Sequence, residues 1–266
     1  MQPMGGGSIN EAYQIKAAGN AVFCKTNSAT KFPHLFSKEK EGLQLLVQHG
    51  IKTPAVIDCF EEEDQQVLLL EWIEEGERSS AFWQTFGERL AMLHRTKGSH
   101  FGLPNDNYMG SVPQSNTPHE QWCTFFAAER LSPMIERCVG KKLLTPKHLR
   151  QFEALQKKLT DIFEEEPPCL VHGDLWSGNF LCNQSSEPVL IDPAVYFGHR
   201  SVDLAMTTLF GGFRQPFYDS YHYHFPLPTN YEEQWAVSNL YPLLIHLYLF
   251  GSGYRLQIER TLQKFA

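Results

Sequence analysis

The 266-residue sequence predicts an α+β fold with two lobes, a small antiparallel β-sheet lobe with one helix followed by a larger, mainly helical lobe. Three observations lead to this prediction. Strand-like apolar runs and one helical stretch fill the first 73 residues, helical periodicity dominates the remainder, and one polar hairpin interrupts the helices near residue 180. We therefore expect an N-terminal lobe over residues 1–73 and a C-terminal lobe over residues 74–266.

The composition limits the classes of protein to which this chain can belong. A net charge of -7 argues against a nucleic-acid binder and gives no reason to expect an anionic membrane surface as partner. The six cysteines form no C-x-x-C pair, which argues against a zinc site or a disulfide framework and favours a reducing compartment. No signal peptide is recognised, and the longest apolar segment, Leu240–Phe250, is too short to span a bilayer. We expect a cytoplasmic protein, and its oligomeric state stays open.

The predicted N-terminal lobe begins with a glycine-rich run and a strand. The run is Gly5, Gly6, Gly7 and Ser8. Glycines let backbone N–H groups approach a polyphosphate closely, although such a run is also typical of a flexible turn. The strand covers Ala21–Thr26, and its period-two alternation puts Phe23 and Lys25 on one face with Cys24 on the other. Because few residues precede the glycines, we expect the outer strand of the sheet to be short or missing.

One helix and two further strands complete this lobe. The helix is predicted to begin at Ser37 and to end at Gly50. Its apolar positions are Leu43, Leu46 and Val47. The strands are predicted at Ala55–Phe60 and Val67–Trp72, and the second is continuously apolar, which is typical of a strand buried on both faces.

The C-terminal lobe is predicted to be mainly helical. A helix capped by Ser79 or Ser80 and ending near Gly98 has apolar residues at helical spacing. Its core positions are Phe82, Phe86, Leu90 and Leu93. The stretch 117–120 matches a capping box with proline at the first helical position, and Thr145–Pro146 begins another helix. Apolar helices from Glu232 to Phe250, with Pro242 beginning or bending one of them, close the fold.

The stretch Cys169–Ala194 has the most informative chemistry. After a short apolar approach, His172, Asp174 and Asn179 follow the pattern H-G-D-x-x-x-x-N. Two apolar runs around the turn-rich residues 183–188 then indicate a β-hairpin, which brings Asp192 back to the base of the polar loop.

Phosphoryl transfer requires groups of this kind. Its transition state is highly charged, so the protein mainly positions the reactants and offsets charge. Asp174 is suited to hold an acceptor hydroxyl and to take up its proton. Asp192 and Asn179 offer the hard oxygen ligands that Mg²⁺ prefers. The alternative for each residue alone is a capped turn with purely local hydrogen bonds, and the set of three at this spacing favours the functional interpretation.

The motifs HGDLWSGNF, IDPA, FGHRSVDLAM and FGGF resemble those of the fructosamine kinase family, a branch of the protein-kinase-like fold that includes aminoglycoside phosphotransferases. The resemblance extends from the glycine run to about Tyr254. The HGD-x-x-x-x-N pattern alone indicates the superfamily, whereas Trp176 and the pair Pro193-Ala194 are more specific to the family. The resemblance implies ATP and Mg²⁺ as cofactors, and a ketosamine, a sugar joined to an amine, as the acceptor.

The resemblance also implies roles in nucleotide binding. The glycine run with Ser8 would cover the phosphates, and Lys25 would bind them. Glu39 aligns with the carboxylate that pairs with this lysine, and Phe23 should lie against the base. The segment Glu71, Trp72 and Ile73 corresponds to the connection between the lobes, where backbone groups meet the adenine edge.

The acceptor site is expected around Trp176 and His172, with Asn107 and Tyr108 as further candidates from a turn-forming loop. An indole can pack on the C–H face of a sugar and can attract a cationic amine. The alternative is that Trp176 is a core aromatic that braces the loop. Two other functions stay open: an aminoglycoside- or choline-type small-molecule kinase of the same fold, and a nucleotide-binding protein without turnover. The presence of all four of Lys25, Asp174, Asn179 and Asp192 disfavours the second.

Overall fold

The structure is a computed structural model that describes residues 2–4, 10–17 and 19–265. The strands in this part of the chain are β1 Gln2–Pro3, β2 Glu11–Ala17, β3 Asn20–Ser28, β4 Val56–Glu62, β5 Gln65–Glu71, β6 Asn107–Met109, β7 Val112–Gln114, β8 Cys169–Val171, β9 Phe180–Cys182, β10 Pro188–Leu190 and β11 Tyr196–Gly198. The helices are α1 Leu35–Gln48, α2 Ser80–Leu93, α3 Trp122–Phe125, α4 Ser132–Gly140, α5 Pro146–Gln156, α6 Leu159–Ile162, α7 Ser201–Leu209, α8 Gln215–His224, α9 Tyr231–Ser238, α10 Leu240–Phe250 and α11 Arg255–Phe265. A π-helical stretch, Phe126–Leu131, joins α3 to α4, and a 3-10 turn, Ser252–Tyr254, precedes α11.

The N-terminal part is a five-stranded antiparallel sheet in the order β1-β2-β3-β5-β4, with α1 packed on one face. The outer strand β1 has two residues, in agreement with the expected short strand. The prediction that β5 is buried on both faces is wrong. Leu68 and Leu70 are buried beneath α1, whereas Val67 and Leu69 are half-buried, because α1 covers only one face of the sheet.

Helix α1 differs from its prediction at its beginning and at one apolar position. It begins at Leu35 rather than Ser37, because Leu35 and Phe36 are already buried against the sheet. The predicted core position Val47 is 54% exposed. Gly50, with φ of 80°, follows the helix as predicted and donates its N–H to the carbonyl of Val47.

The remaining chain is mainly helical and contributes most of the two larger hydrophobic clusters, the second of which also includes Leu46 and Ile51. Helix α2 begins after Ser79, whose Oγ accepts the N–H of Phe82 at 3.2 Å, and packs against α8. It ends at Leu93, earlier than the predicted end near Gly98. Helix α5 begins after Thr145, as predicted for Thr145–Pro146, and the structure adds a capping box between Thr145 and His148. Pro242 lies in the first turn of α10, where a missing N–H is tolerated.

The predicted capping box at residues 117–120 is wrong. His119 pairs with Phe101 in an isolated antiparallel bridge, with its N–H donating to the Phe101 carbonyl at 3.0 Å and its carbonyl accepting at 2.9 Å. These backbone bonds hold the segment extended, and the helix begins only at Trp122. A local sequence motif is here overruled by pairing with a distant segment.

The polar hairpin is present as predicted, with β9 and β10 antiparallel. After β5, the chain is hydrogen-bonded to this hairpin, since the N–H of Gly76 donates to the Cys182 carbonyl at 2.7 Å. A Cβ on Gly76 would lie 2.0 Å from the carbonyl oxygen of Asn183, so only glycine fits there.

The division into lobes at Ile73 stays a prediction. Within the described residues, no helix has the length and apolar character needed to cross a membrane.

Candidate active site

A cleft of about 510 Å³ lies between the sheet and the helical part. Its lining on the sheet side includes Ala12, Phe23, Lys25, Leu35, Lys38 and Glu39. The opposite side includes Asn107, Tyr108, Met109, Gly110, Asp174, Trp176, Gly178, Asn179, Ile191, Asp192, Pro193, Ile245, His246, Leu249 and Phe250. The cleft thus brings Lys25 of the sheet together with Asp174, Asn179 and Asp192 of the hairpin region, which lie about 150 residues later in the sequence.

A buried carboxylate supports the loop that carries Asp174. Asp203, in α7, accepts the N–H of His172 at 2.7 Å and that of Gly173 at 2.8 Å, and it also bonds to Nε2 of His94. Burial alone would raise the pKa of Asp203, but the hydrogen bond and charge of His94 keep it below its ordinary value. Gly173 has φ of 83°, and a Cβ there would lie 2.1 Å from the Ala194 carbonyl oxygen. The role of Asp203 was not predicted from the sequence, although a lone acidic residue within an apolar helix is a signal for such a role.

Asn179 binds Asp174 directly. Its Nδ2 donates to the backbone carbonyl of Asp174 at 2.8 Å and to Oδ2 at 3.0 Å. Burial, with the nearby Asp192 charge, raises the pKa of Asp174 to about 7. A carboxylate with such a pKa can take up a proton near neutral pH, which is the property required of a general base.

Lys25 lies between two carboxylates. Its Nζ is 2.7 Å from Oε1 of Glu39 and 2.6 Å from Oδ1 of Asp192. Burial alone would lower the pKa of Lys25, but Asp192 and Glu39 outweigh it and raise the pKa, so the ammonium stays charged. The predicted pairing of Lys25 with Glu39 is therefore present, and the same lysine also reaches the end of the hairpin.

The side chains of Asp192 and Asn179 fit a magnesium site. The Asp192 side chain is 40% exposed, and its φ of 54° places it in the left-handed region that few non-glycine residues adopt. Because Asn179 uses its Nδ2 toward Asp174, its Oδ1 is the atom left to bind a cation. No group of three or more His, Cys, Asp or Glu side chains suited to a metal occurs in the described part of the chain. Few protein ligands are typical of Mg²⁺ that is bound together with phosphates and water.

The four residues predicted for the acceptor site have different surroundings in the structure. The prediction for His172 is wrong, because its side chain is buried, bonds to the carbonyl of Ile191 and is absent from the cleft lining. Asn107 lines the cleft, but its amide nitrogen donates to Val195 and its oxygen accepts from two neighbouring amides. Tyr108 lines the cleft and donates to the Pro33 carbonyl at 3.0 Å. Trp176 is half-buried in the cleft wall.

Of the residues predicted to contact the nucleotide, some line the cleft and others do not. Phe23 lines the cleft, with its ring 6.5 Å from that of Trp72. Among the described residues that line the cleft, none belongs to the segment Glu71–Ile73, and the Glu71 carboxylate instead accepts the N–H of Ala55. Gly5, Gly6, Gly7 and Ser8 lie outside the described residues.

The comparisons with known proteins agree with this geometry. A family model described as fructosamine kinase matches residues 1–266. A relative from Enterococcus faecium, named "Probable ketoamine kinase", is 35% identical over 99% of this chain and 94% of its own length. A crystal structure from Thermobifida fusca, whose name places it with the fructosamine-3-kinases, is 33% identical with a TM-score of 0.89 and covers 98% of this chain and 91% of that one.

A more distant structure defines the fold class. An aminoglycoside phosphotransferase, solved with AMP-PNP and hygromycin B, has a TM-score of 0.70 at 14% identity, and the match covers 100% of this chain and 94% of that one. At this identity the likeness extends to the fold alone. Together with the family match over the whole chain, it establishes the protein-kinase-like architecture that the sequence predicted. The chain therefore belongs to the fructosamine kinase family and is a phosphotransferase of the kinase type.

Proposed function

We propose that this chain transfers the γ-phosphate of ATP, bound with Mg²⁺, to the 3-hydroxyl of a ketosamine in the cytoplasm. The observation that carries the proposal is the meeting of Asp174, Asn179, Asp192 and Lys25 in one cleft. The names of the relatives, a ketoamine kinase and a fructosamine-3-kinase, support the acceptor and its position. AMP-PNP in the aminoglycoside phosphotransferase supports ATP as the donor.

Asp174 acts on the acceptor. Its carboxylate holds the sugar hydroxyl and takes up the proton as the oxygen attacks the γ-phosphorus and the bond to the bridging oxygen of ADP breaks. The hydrogen bond from Asn179 Nδ2 to Oδ2 fixes the orientation of the carboxylate, which leaves Oδ1 for the hydroxyl. Its raised pKa, about 7, makes it a stronger base than an exposed aspartate.

Lys25 and Glu39 position the donor. The ammonium, fixed by Glu39 at 2.7 Å, is aimed at the phosphates, and Asp192 with Asn179 would hold the metal. Mg²⁺, when bound, offsets charge on the phosphate oxygens and orients them. Because Lys25 contacts both Glu39 and Asp192, the protein groups on the two sides of the cleft are in register before substrates bind.

Trp176 forms part of the acceptor site. A Cβ on Gly178 would lie 2.3 Å from Cη2 of Trp176, so the indole rests against a residue that must be small. The ring is thereby held at the wall of the cleft that also contains Asp174. In the product, a ketosamine 3-phosphate, loss of a proton from C1 gives a C1–C2 enaminol, which can expel inorganic phosphate from C3 and leave an imine at C1. Hydrolysis of that imine by water releases the amine, which would amount to deglycation.

Coupled ADP release tests the proposal against its alternatives. The purified protein is given MgATP with a ketosamine, an aminoglycoside, choline or no acceptor. We expect turnover with the ketosamine alone, and ³¹P NMR should place the phosphate on the 3-oxygen. Turnover restricted to the aminoglycoside or to choline would reassign the acceptor. Nucleotide binding without turnover on any acceptor would favour a non-catalytic protein.

A further inference from the structure

The backbone around Asp192, the proposed metal ligand, is attached to the protein on both sides of that residue. The N–H of Ile191 donates to the Asn179 carbonyl at 3.1 Å, and the N–H of Ala194 donates to the His172 carbonyl at 2.9 Å. Asp192 has φ of 54°, a conformation that a residue other than glycine keeps only where its surroundings fix it. Only two residues lie between the two bonds, so the direction of the Asp192 side chain depends on how firmly both ends are held.

Two buried amides hold the backbone just after this segment. Nδ2 of Asn107 donates to the Val195 carbonyl at 2.8 Å, and Nε2 of Gln114 donates to the Ala194 carbonyl at 3.3 Å. Asn107 and Gln114 are directly opposite each other in the antiparallel pair β6–β7, so their side chains lie on the same face. Nε2 of Gln114 also donates to Oδ1 of Asn107 at 2.9 Å. We call Asn107 and Gln114 the amide clamp.

The orientation of both amides in the clamp is fixed by their partners. A backbone carbonyl can only accept, so the atom that faces it is the amide nitrogen in each case. Behind the clamp, the guanidinium of Arg130 can only donate, so the Asn116 atom that lies 2.8 Å from its Nη2 is Oδ1. Nδ2 of Asn116 then donates to Oδ1 of Asn107 at 3.0 Å. On the other side, the Tyr241 hydroxyl donates to Oε1 of Gln114 at 3.0 Å.

Arg130 is a costly group to place behind the clamp. The residue is fully buried, and among the described residues its Nε has no hydrogen-bond partner. Its guanidinium carbon lies 4.1 Å from the ring centroid of Tyr196 and 4.5 Å from that of Phe125. An apolar side chain would fill such a position at lower cost, so the charge is better explained by its fixed bond to Asn116 than by packing.

We infer that Asn107 and Gln114 are positioning residues, which hold Asp192 in the orientation that binds Mg²⁺ together with ATP. The inference rests on the proposed function, because that function places the metal at Asp192. The clamp acts through the backbone, since it binds the carbonyls two and three residues after Asp192. A buried carbonyl that loses its donor must find another partner, and the segment can do so only by turning. Asp192 would then turn with it and leave the position that suits the metal.

The experiment measures how much the metal contributes to nucleotide binding when no acceptor is present. The affinity for AMP-PNP is determined by calorimetry with saturating Mg²⁺ and again with EDTA, and the ratio of the two values is the metal effect. Wild type is compared with Gln114→Met, which removes the amide but keeps the length of the side chain. Asp192→Ala gives the metal effect without the proposed ligand. Melting temperature is recorded for every variant.

Gln234 provides a matched control. It is 2% exposed, against 1% for Gln114. Its Nε2 donates to the Ile162 carbonyl at 3.3 Å and to Oδ1 of Asn230 at 3.2 Å, but it does not line the cleft. Gln234→Met therefore removes a buried amide with the same two kinds of partner, at a place where no metal is expected.

We expect Gln114→Met to lower the metal effect by about tenfold or more, toward the value of Asp192→Ala, because the loss of a group that orients a metal ligand typically costs that much in metal affinity. Its affinity for AMP-PNP in EDTA should stay that of wild type. Gln234→Met should lower the melting temperature to a similar degree but keep the metal effect of wild type. A role in stability alone would not separate the two variants in this way.

The inference is overturned if Gln114→Met keeps the metal effect of wild type, or if both methionine variants lose it equally. Either result would leave the proposed function intact. Should Gln114→Met fail to fold, Gln114→Asn decides, because its shorter amide stays polar but ends one methylene short of the Ala194 carbonyl, and an unchanged metal effect then rejects the clamp. If the metal effect of wild type is no larger than that of Asp192→Ala, the proposed metal site is wrong and the inference fails with it.

Discussion

Replacement of Lys25 by methionine should destabilise the protein as well as stop transfer. Methionine keeps the length and apolar stem of the side chain but removes the ammonium. The Glu39 side chain, 10% exposed and 2.7 Å from Nζ, then becomes a buried carboxylate without its cationic partner. Breaking a buried ion pair from one side costs about 3–5 kcal/mol. At about 2–4 °C per kcal/mol, the melting temperature should fall by roughly 10 °C.

The loss should depend on pH in a defined direction. Burial raises the pKa of Glu39, and the Lys25 ammonium opposes that effect. Without Lys25, the folded state holds a proton on Glu39 to higher pH than the unfolded state does, so the stability of the variant falls as pH rises through that window. We therefore expect Lys25→Met to be more destabilised at pH 8 than at pH 5.5.

Two further variants, compared by their free energies of unfolding in urea, test whether the loss of the buried ion pair causes this destabilisation. The double variant Lys25→Met/Glu39→Gln removes both charges, so it should recover most of the stability but none of the activity. Lys52→Met breaks a pair of similar length, 2.6 Å to Glu187, whose side chains are 51% and 43% exposed, and it should cost less than about 1 kcal/mol. If Lys25→Met is as stable as Lys52→Met, or if the double variant is no more stable than the single one, the unpaired Glu39 carboxylate is not the cause of the destabilisation.

Three further predictions concern the loop and the core. Asp174→Asn should lower kcat by about 10²–10⁴ with MgATP affinity retained in calorimetry, and near-normal turnover would remove Asp174 from the mechanism. Gly178→Ala should displace the Trp176 ring, which its Cβ would approach to 2.3 Å, and so raise the ketosamine KM while leaving the ATP KM unchanged; unaltered kinetics would contradict that contact. Burial lowers the pKa of His199 to about 4, so the contribution of His199 to stability should decline by on the order of 3 kcal/mol as pH falls from about 6.5 to 4. His199→Asn should flatten that decline in unfolding curves, and an unchanged slope would exclude His199 as its cause.

Sequence patterns predicted the parts of the fold in which neighbours along the chain decide the structure. The hairpin around residues 183–188 and the helix after Thr145 depend on local turn and cap chemistry, and both are present. The errors arose where distant segments decide. The capping motif at residues 117–120 was overruled by pairing with Phe101, and the burial of β5 depended on which face α1 covers.

In the candidate site, too, residues close in sequence were predicted, and positions that depend on distant segments were not. The motif identified Asp174, Asn179 and Asp192, because these residues are close in sequence and joined by one hairpin. The place of His172 in the interior was not predictable from the motif, since it depends on Asp203 and on the carbonyl of Ile191. His246 and Phe250 of α10, which also line the cleft, were not predicted, because each one alone matches an ordinary core residue.

The contact of Gly76 with the hairpin has a mechanical consequence. Because Gly76 is bonded to Cys182 and Glu75 pairs with Asn183, the chain is attached to the hairpin from Glu75 onward, and a rotation of the sheet against the helical part would have to bend the connection before Glu75. In such a rotation, Lys25 and Glu39 would move together with the sheet and α1, whereas Asp192 would stay with the hairpin. Opening would stretch the 2.6 Å contact of Lys25 with Asp192 and leave the 2.7 Å contact with Glu39 intact. The distance between Lys25 and Asp192 would thus report how far the cleft is open. A fluorophore on the sheet and another on the hairpin could follow this distance in real time.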